Sequence, residues 1–99
     1  MSVYVDDMAV PYGRMMMSHM MADSTGELLA MVDRIGVQRR WIQKAGTPEE
    51  HFDIALSKRA LAITAGAHEI TSRELVARMA MKRSEPPEWA KRMLSLRAT

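Results

Sequence analysis

Three short stretches of this chain carry the residue order that opens an α-helix: Ser24-Thr25-Gly26-Glu27, Thr47-Pro48-Glu49-Glu50 and Thr71-Ser72-Arg73-Glu74. In each, a hydroxyl can accept from the backbone N–H three residues on, and a carboxylate three residues on can reach back. The first opens a helix in which Leu28, Leu29, Val32 and Ile35 recur at helical spacing, and Gly36 supplies the left-handed residue that ends it. In the second, proline stands at the first helical position, which predicts a short helical turn before His51. The third opens a helix with Leu75, Val76 and Met79 on its apolar stripe. Ser57 is placed as the cap of a further helix in which Leu61 is flanked by alanines and which Gly66 closes. After Pro86 and Pro87, the residues Trp89, Met93 and Leu96 form a last apolar stripe.

Between these helices lie short β-forming runs. Val3, Tyr4 and Val5 predict a strand over 2–6 that stops at Asp6 and Asp7. Pro11, Tyr12 and Gly13 predict a loop, and Met15 to Met21 is assigned as a strand, with Met15, Met17, His19 and Met21 on one face. Val37 to Gln43, centred on Trp41 and Ile42, and Ala67 to Ile70 complete the set. Strands alternating with helices predict an α/β fold: a small mixed, partly parallel sheet of three or four strands packed by three to five helices.

The 99 residues suffice for a single domain, which at this size buries roughly two-thirds of the surface its unfolded chain exposes. The expected core covers about 2–80, with 84–99 as a C-terminal amphipathic helix suited to a subunit interface, so a homodimer is one expectation. There is no cysteine, which excludes a disulfide framework, Cys-ligated zinc and a thiol nucleophile. No apolar run approaches the roughly 20 residues of a membrane span, so no membrane association and a cytoplasmic location are expected.

Charge is divided unevenly. Residues 1–38 carry five acids against two arginines, and residues 39–99 carry seven acids against twelve lysines and arginines. A basic second half suits an anionic partner. Nucleic acid would be met by Arg39, Arg40, Lys44, Arg73, Arg78, Lys82, Arg83, Lys91 and Arg92, but aromatic residues for base stacking are scarce beside them. A phosphate-bearing small molecule is therefore favoured over nucleic acid.

The residues able to carry chemistry fall at element ends: Asp6 and Asp7 after the first strand, His19 and Asp23 before the first long helix, His51 and Asp53, and then Ser57, Lys58 and Arg59. In sheets built from βαβ units, ligands gather at the carboxyl ends of strands, where Asp6 and Asp7 are expected. Asp6, His19, His51 and Asp53 offer a mixed nitrogen and carboxylate set for a divalent metal ion. Ser57-Lys58-Arg59 at a helix start combines free N–H groups with two cations, which suits phosphate, although the Gly-rich cradle of a P-loop is missing. Ser18 beside His19 is sequence adjacency without a nucleophile turn.

The segments VYVDDM (3–8), SHMMAD (18–23), HFDIALSKRALAI (51–63) and GAHEIT (66–71) together resemble an uncharacterised family of short proteins from bacteria and their phages, domain of unknown function 4031. The resemblance covers nearly all of residues 2–75 and brings no established activity. The family usually shows a tyrosine where this chain has Phe52.

Together these features predict a domain that binds a phosphate-bearing ligand, a nucleotide or nucleic acid, in a cleft lined by Asp6, Asp7, His19, Asp23, His51, Asp53, Ser57, Lys58 and Arg59. A divalent ion would sit at Asp6, His19, His51 and Asp53. If the protein is an enzyme, metal-assisted phosphoester chemistry is the natural class. The alternative is a non-catalytic interaction protein, an inhibitor or adaptor, whose basic half faces its partner.

Overall fold

The computed structural model describes residues 2–98. Five strands form one mixed sheet: β1 Val3–Val5, β2 Val10–Tyr12, β3 Met15–Ala22, β4 Phe52–Ala55 and β5 His68–Glu69. Four helices accompany it: α1 Thr25–Ile35, α2 Leu56–Thr64, α3 Ser72–Ala80 and α4 Glu88–Ala98. The long strand β3 organises the sheet. Its second half pairs antiparallel with β1 and its first half with β2, while β4 lies antiparallel along its other edge. β5 adds to β1 in parallel. The α/β class and the partly parallel sheet match the sequence reading, with one strand more than the upper count expected there.

β4 and β2 both form where no strand is expected, while the strand expected over 37–43 does not; β2 stands where the sequence predicts a loop. Pro11 cannot donate to a ladder, but an edge position tolerates it, and the whole strand is exposed. Gly13, at φ 59°, stands first in the two-residue turn to β3, where tight hairpins require a positive φ.

Alternation along β3 divides the core. Met20 and Ala22 face one side with Val3, Val5, Phe52 and Ile54, and there α1 and α2 cover them with Leu28, Val32, Ile35 and Ala62. Met21 faces the other side with Tyr4 and packs under α3 through Ile70 and Leu75. Burial disfavours the phenolate and raises the Tyr4 pKa above 10.0, against the opposing pull of the Arg78 guanidinium. Both predicted caps on α1 and α3 form: Ser24 accepts from the Glu27 N–H and Thr71 from the Glu74 N–H. Gly36, at φ 80°, closes α1.

Four expectations are corrected. The segment 37–43 is not a strand; it holds a 3-10 turn, Arg39–Trp41, pairs with the chain before β4 through the Gln43–His51 bridge, and packs Val37 and Ile42 against the core. Arg39 grips Asp33 with two hydrogen bonds, 3.0 and 2.7 Å, which tie this turn to α1. That grip lowers the Asp33 pKa and raises that of Arg39. Thr47–Glu50 makes a turn and no helix; the buried Glu50 carboxylate anchors it by accepting from the Gly46 N–H and the Thr25 hydroxyl. Ser57 does not cap α2, which begins at Leu56 after Ala55 without a side-chain cap. On α4 the buried face is Ala90 with Met93 and Leu94, while Trp89 and Leu96 are exposed. The facing residues of α3 are Ala77 and Ala80, so a small residue lets the helices approach. No helix of the described residues is long and apolar enough to cross a membrane.

Candidate functional site

The register of three strands assembles the site. β1 and β3 pair with Val5 opposite Met20, so the next pair across that ladder is Asp6 and His19, joined by Asp6 N–H to His19 C=O at 3.1 Å. On the other edge of β3, His19 stands directly opposite Asp53. His51 precedes Asp53 by two residues in extended backbone, and side chains two apart share a face. One row across the sheet therefore reads Asp6, His19, Asp53, with His51 beside it. The two imidazole rings meet edge to face with centroids 5.6 Å apart.

Hydrogen bonds fix how each ring presents itself. Asp6 is fully buried. One of its oxygens accepts from His19 Nδ1 at 2.8 Å, and the other from the backbone N–H groups of His19 at 2.9 Å and Met8 at 3.3 Å. His51 Nδ1 donates to the Glu49 carbonyl at 2.6 Å. With both Nδ1 atoms donating, Nε2 is the nitrogen that each ring leaves for a further partner. Both Nε2 atoms face the same oxygen, Asp53 Oδ1, at 3.7 Å from His19 and 3.4 Å from His51. The three ligand atoms lie within 4.8 Å of one another. Asp53 is partly exposed, so the cluster is open to solvent on one side.

Arg59 reinforces the row from behind. Its Nε donates to the Asp6 carbonyl at 2.8 Å and its terminal nitrogen to Glu69 at 3.3 Å. The start of α2 and the end of β5 are thereby tied to the turn that holds Asp6. Asp7 points elsewhere, its carboxylate accepting from the Ser72 N–H at the start of α3.

The other predicted site residues do not join this cluster. Asp23 lies beyond the far end of β3 and accepts from the Ser2 N–H at 2.8 Å and the Tyr4 hydroxyl at 3.4 Å. Lys58 carries its ammonium to the C-terminal end of α1, where a Cβ added at Gly36 would come within 3.3 Å of it. The helix dipole favours a cation there. Ser57 is exposed. The triplet 57–59 thus splits, and only Arg59 reaches the row. Ser18 is buried on the opposite face and donates to the Met8 carbonyl at 2.6 Å. Several of the basic residues are engaged within the fold: Arg78 donates to the Tyr4 hydroxyl and stacks on its ring, and Lys82 donates to the Ala22 carbonyl.

A cleft of about 390 Å³ adjoins the cluster. His19 and Asp53 line it together with Tyr12, Met15 and Met17 from the β2–β3 hairpin and Trp41 and Gln43 from the 37–43 segment. The sequence places Met15 and Met17 on the face of His19, but not Tyr12, which reads as loop, or Trp41, which reads as strand, in the wall beside them. The Gly13-Arg14 spacing between two apolar runs is a readable hairpin signal.

Fold and site together define a small α/β protein with two histidines and one carboxylate converging at the mouth of an apolar cleft. The chain belongs to the family described as protein of unknown function (DUF4031), which matches residues 3–82. That span contains every residue of the row and leaves out α4. No curated protein and no solved structure matches the chain.

Proposed function

We propose that this protein binds a divalent transition-metal ion through His19 Nε2, His51 Nε2 and an Asp53 oxygen, and presents the ion's open positions to the adjoining cleft. One observation carries the reading: two imidazoles with Nδ1 engaged bring their Nε2 atoms to 3.7 and 3.4 Å from one carboxylate oxygen. Three acceptors brought face to face repel one another unless a cation or a proton joins them. An N,N,O donor set with separations of 3.4 and 3.7 Å suits ligand bonds of about 2.0–2.2 Å to zinc, manganese, iron(II) or cobalt. Asp6 then takes the role of the carboxylate that orients a ligating histidine and raises its basicity.

Such an ion acts as a Lewis acid and lowers the pKa of bound water, and the positions left open by three protein ligands receive an oxyanion or that water. A phosphate-bearing ligand fits there as the anion on the metal, with no need for Lys58. Calorimetric titration of EDTA-stripped protein with Zn²⁺, Mn²⁺ and Co²⁺ tests the proposal. One ion per chain is expected, with binding strongly weakened in His19→Ala and Asp53→Ala and unchanged in Asp23→Asn. Equal binding by all of these proteins, or no binding by the unaltered chain, would overturn it. The second outcome would favour the interaction-protein reading.

A further inference from the structure

The cleft beside the cluster has an unusual wall for a protein with so few aromatic residues. The sequence holds two tryptophans, two tyrosines and one phenylalanine. One tryptophan and one tyrosine line this cleft, with the thioethers of Met15 and Met17. Tyr12 is 77% exposed and Trp41 56%, so neither ring is spent on the core. Thioethers and aromatic faces favour flat π-systems, through sulfur–aromatic contacts and offset stacking, over a flexible alkyl chain. The wall is also held in place. Arg39 clamps the Arg39–Trp41 turn to Asp33 on α1, and the Arg40 guanidinium stacks 4.7 Å from the Trp41 ring centroid. On the opposite wall, Tyr12 and Met15 are paired across the hairpin. Polar groups are few and gathered at one end: His19 and Asp53, with the Gln43 amide nearby. A mostly apolar cavity with convergent polar groups at one end is how small-molecule sites are built.

We propose that the cleft takes a small aromatic oxyacid, its ring lodged between the Tyr12–Met15–Met17 wall and Trp41 and its oxyanion head on the metal ion. The proposal rests on the metal reading above and names the ligand class of that same site. The volume of about 390 Å³ admits a one- or two-ring molecule. Arg40 on the Trp41 ring adds positive charge to this side of the cleft, which suits an anion.

Hydroxamates test it, because the same metal-binding head can be carried by different bodies. Cobalt-loaded protein is titrated with benzohydroxamate, acetohydroxamate and octanohydroxamate, with loading first verified by one Co²⁺ per chain. Benzohydroxamate is expected to bind about tenfold more tightly than acetohydroxamate, in line with the worth of one or two aromatic contacts. Trp41→Ala, again verified to hold one Co²⁺ per chain, should shrink that ratio to about threefold or less. Tyr12→Ala provides a second variant at a position even more exposed, so folding is not at stake in both. Equal affinities of benzohydroxamate and acetohydroxamate on loaded protein would overturn the aromatic assignment and leave the metal site standing. Tighter binding of octanohydroxamate would overturn it in favour of an acyl chain. Failure to load Co²⁺ would sink the metal reading itself, before any hydroxamate is added.

Discussion

A single carboxylate, Asp6, sets the chemistry of the row. It sits fully buried and accepts from three N–H groups, two of them backbone. A buried carboxylate without such donors would be costly, so His19 and the Asp6–Met8 turn stabilise it as much as it orients them. Asp6→Asn keeps the shape but replaces one acceptor with an NH₂ donor and removes the charge. His19 then loses the group that holds its Nδ1 as a donor. We expect metal affinity to fall by about 10–100-fold with the stoichiometry still one ion per chain, the usual cost of losing an orienting carboxylate. Isothermal titration of the variant measures this directly, and an unchanged affinity would remove Asp6 from the site's chemistry. The identity of these residues was legible in the sequence, since Asp, His and Asp-containing clusters at element ends can be listed without coordinates. Their mutual orientation was not. It depends on which residue of β3 faces which residue of β1 and β4, and a slip of one position would send His19 to the opposite face of the sheet.

Elements were readable where local chemistry decides them and unreadable where a distant partner does. The caps at Ser24 and Thr71 act within three residues, so α1 and α3 began where their hydroxyls placed them. Val37, Trp41 and Ile42 are β-formers, yet the segment lacks a ladder partner before Gln43 and folds into a 3-10 turn. Ser57 had a cap's chemistry but not its position, because α2 starts at Leu56 directly off β4. These two serine and threonine positions give a paired test. Thr71→Ala should lower stability by about 1 kcal/mol through loss of the α3 cap. Ser57→Ala, at an exposed position in the first turn of α2, should change it by only a few tenths of a kcal/mol. Urea denaturation of both variants reads the difference as a shift in midpoint at constant slope. Equal midpoints would mean that the α3 cap carries no stability.

At the scale of the whole molecule, the row joins strands that the sequence keeps far apart: Asp6 follows β1, His19 lies in β3, and His51 and Asp53 belong to the β4 region. An unfolded chain of this length does not hold these groups at bonding distance, so an ion that uses them binds the folded state in preference. Free ion at a hundred times its dissociation constant should then add about 2.7 kcal/mol to the unfolding free energy. For a domain of this size each kcal/mol moves the midpoint by about 4–8 °C, so the melting temperature should rise on the order of 10–20 °C and return on adding EDTA. Asp53→Ala makes the origin of the shift visible. Its side chain is 42% exposed, so the metal-free variant should melt close to the unaltered protein. It should lose most of the metal-dependent rise. An equal rise in the variant would place the ion elsewhere in the fold. A fall in melting temperature on adding metal would mean that the histidines bind it better in the unfolded chain, and the strand register would then not be what assembles the site.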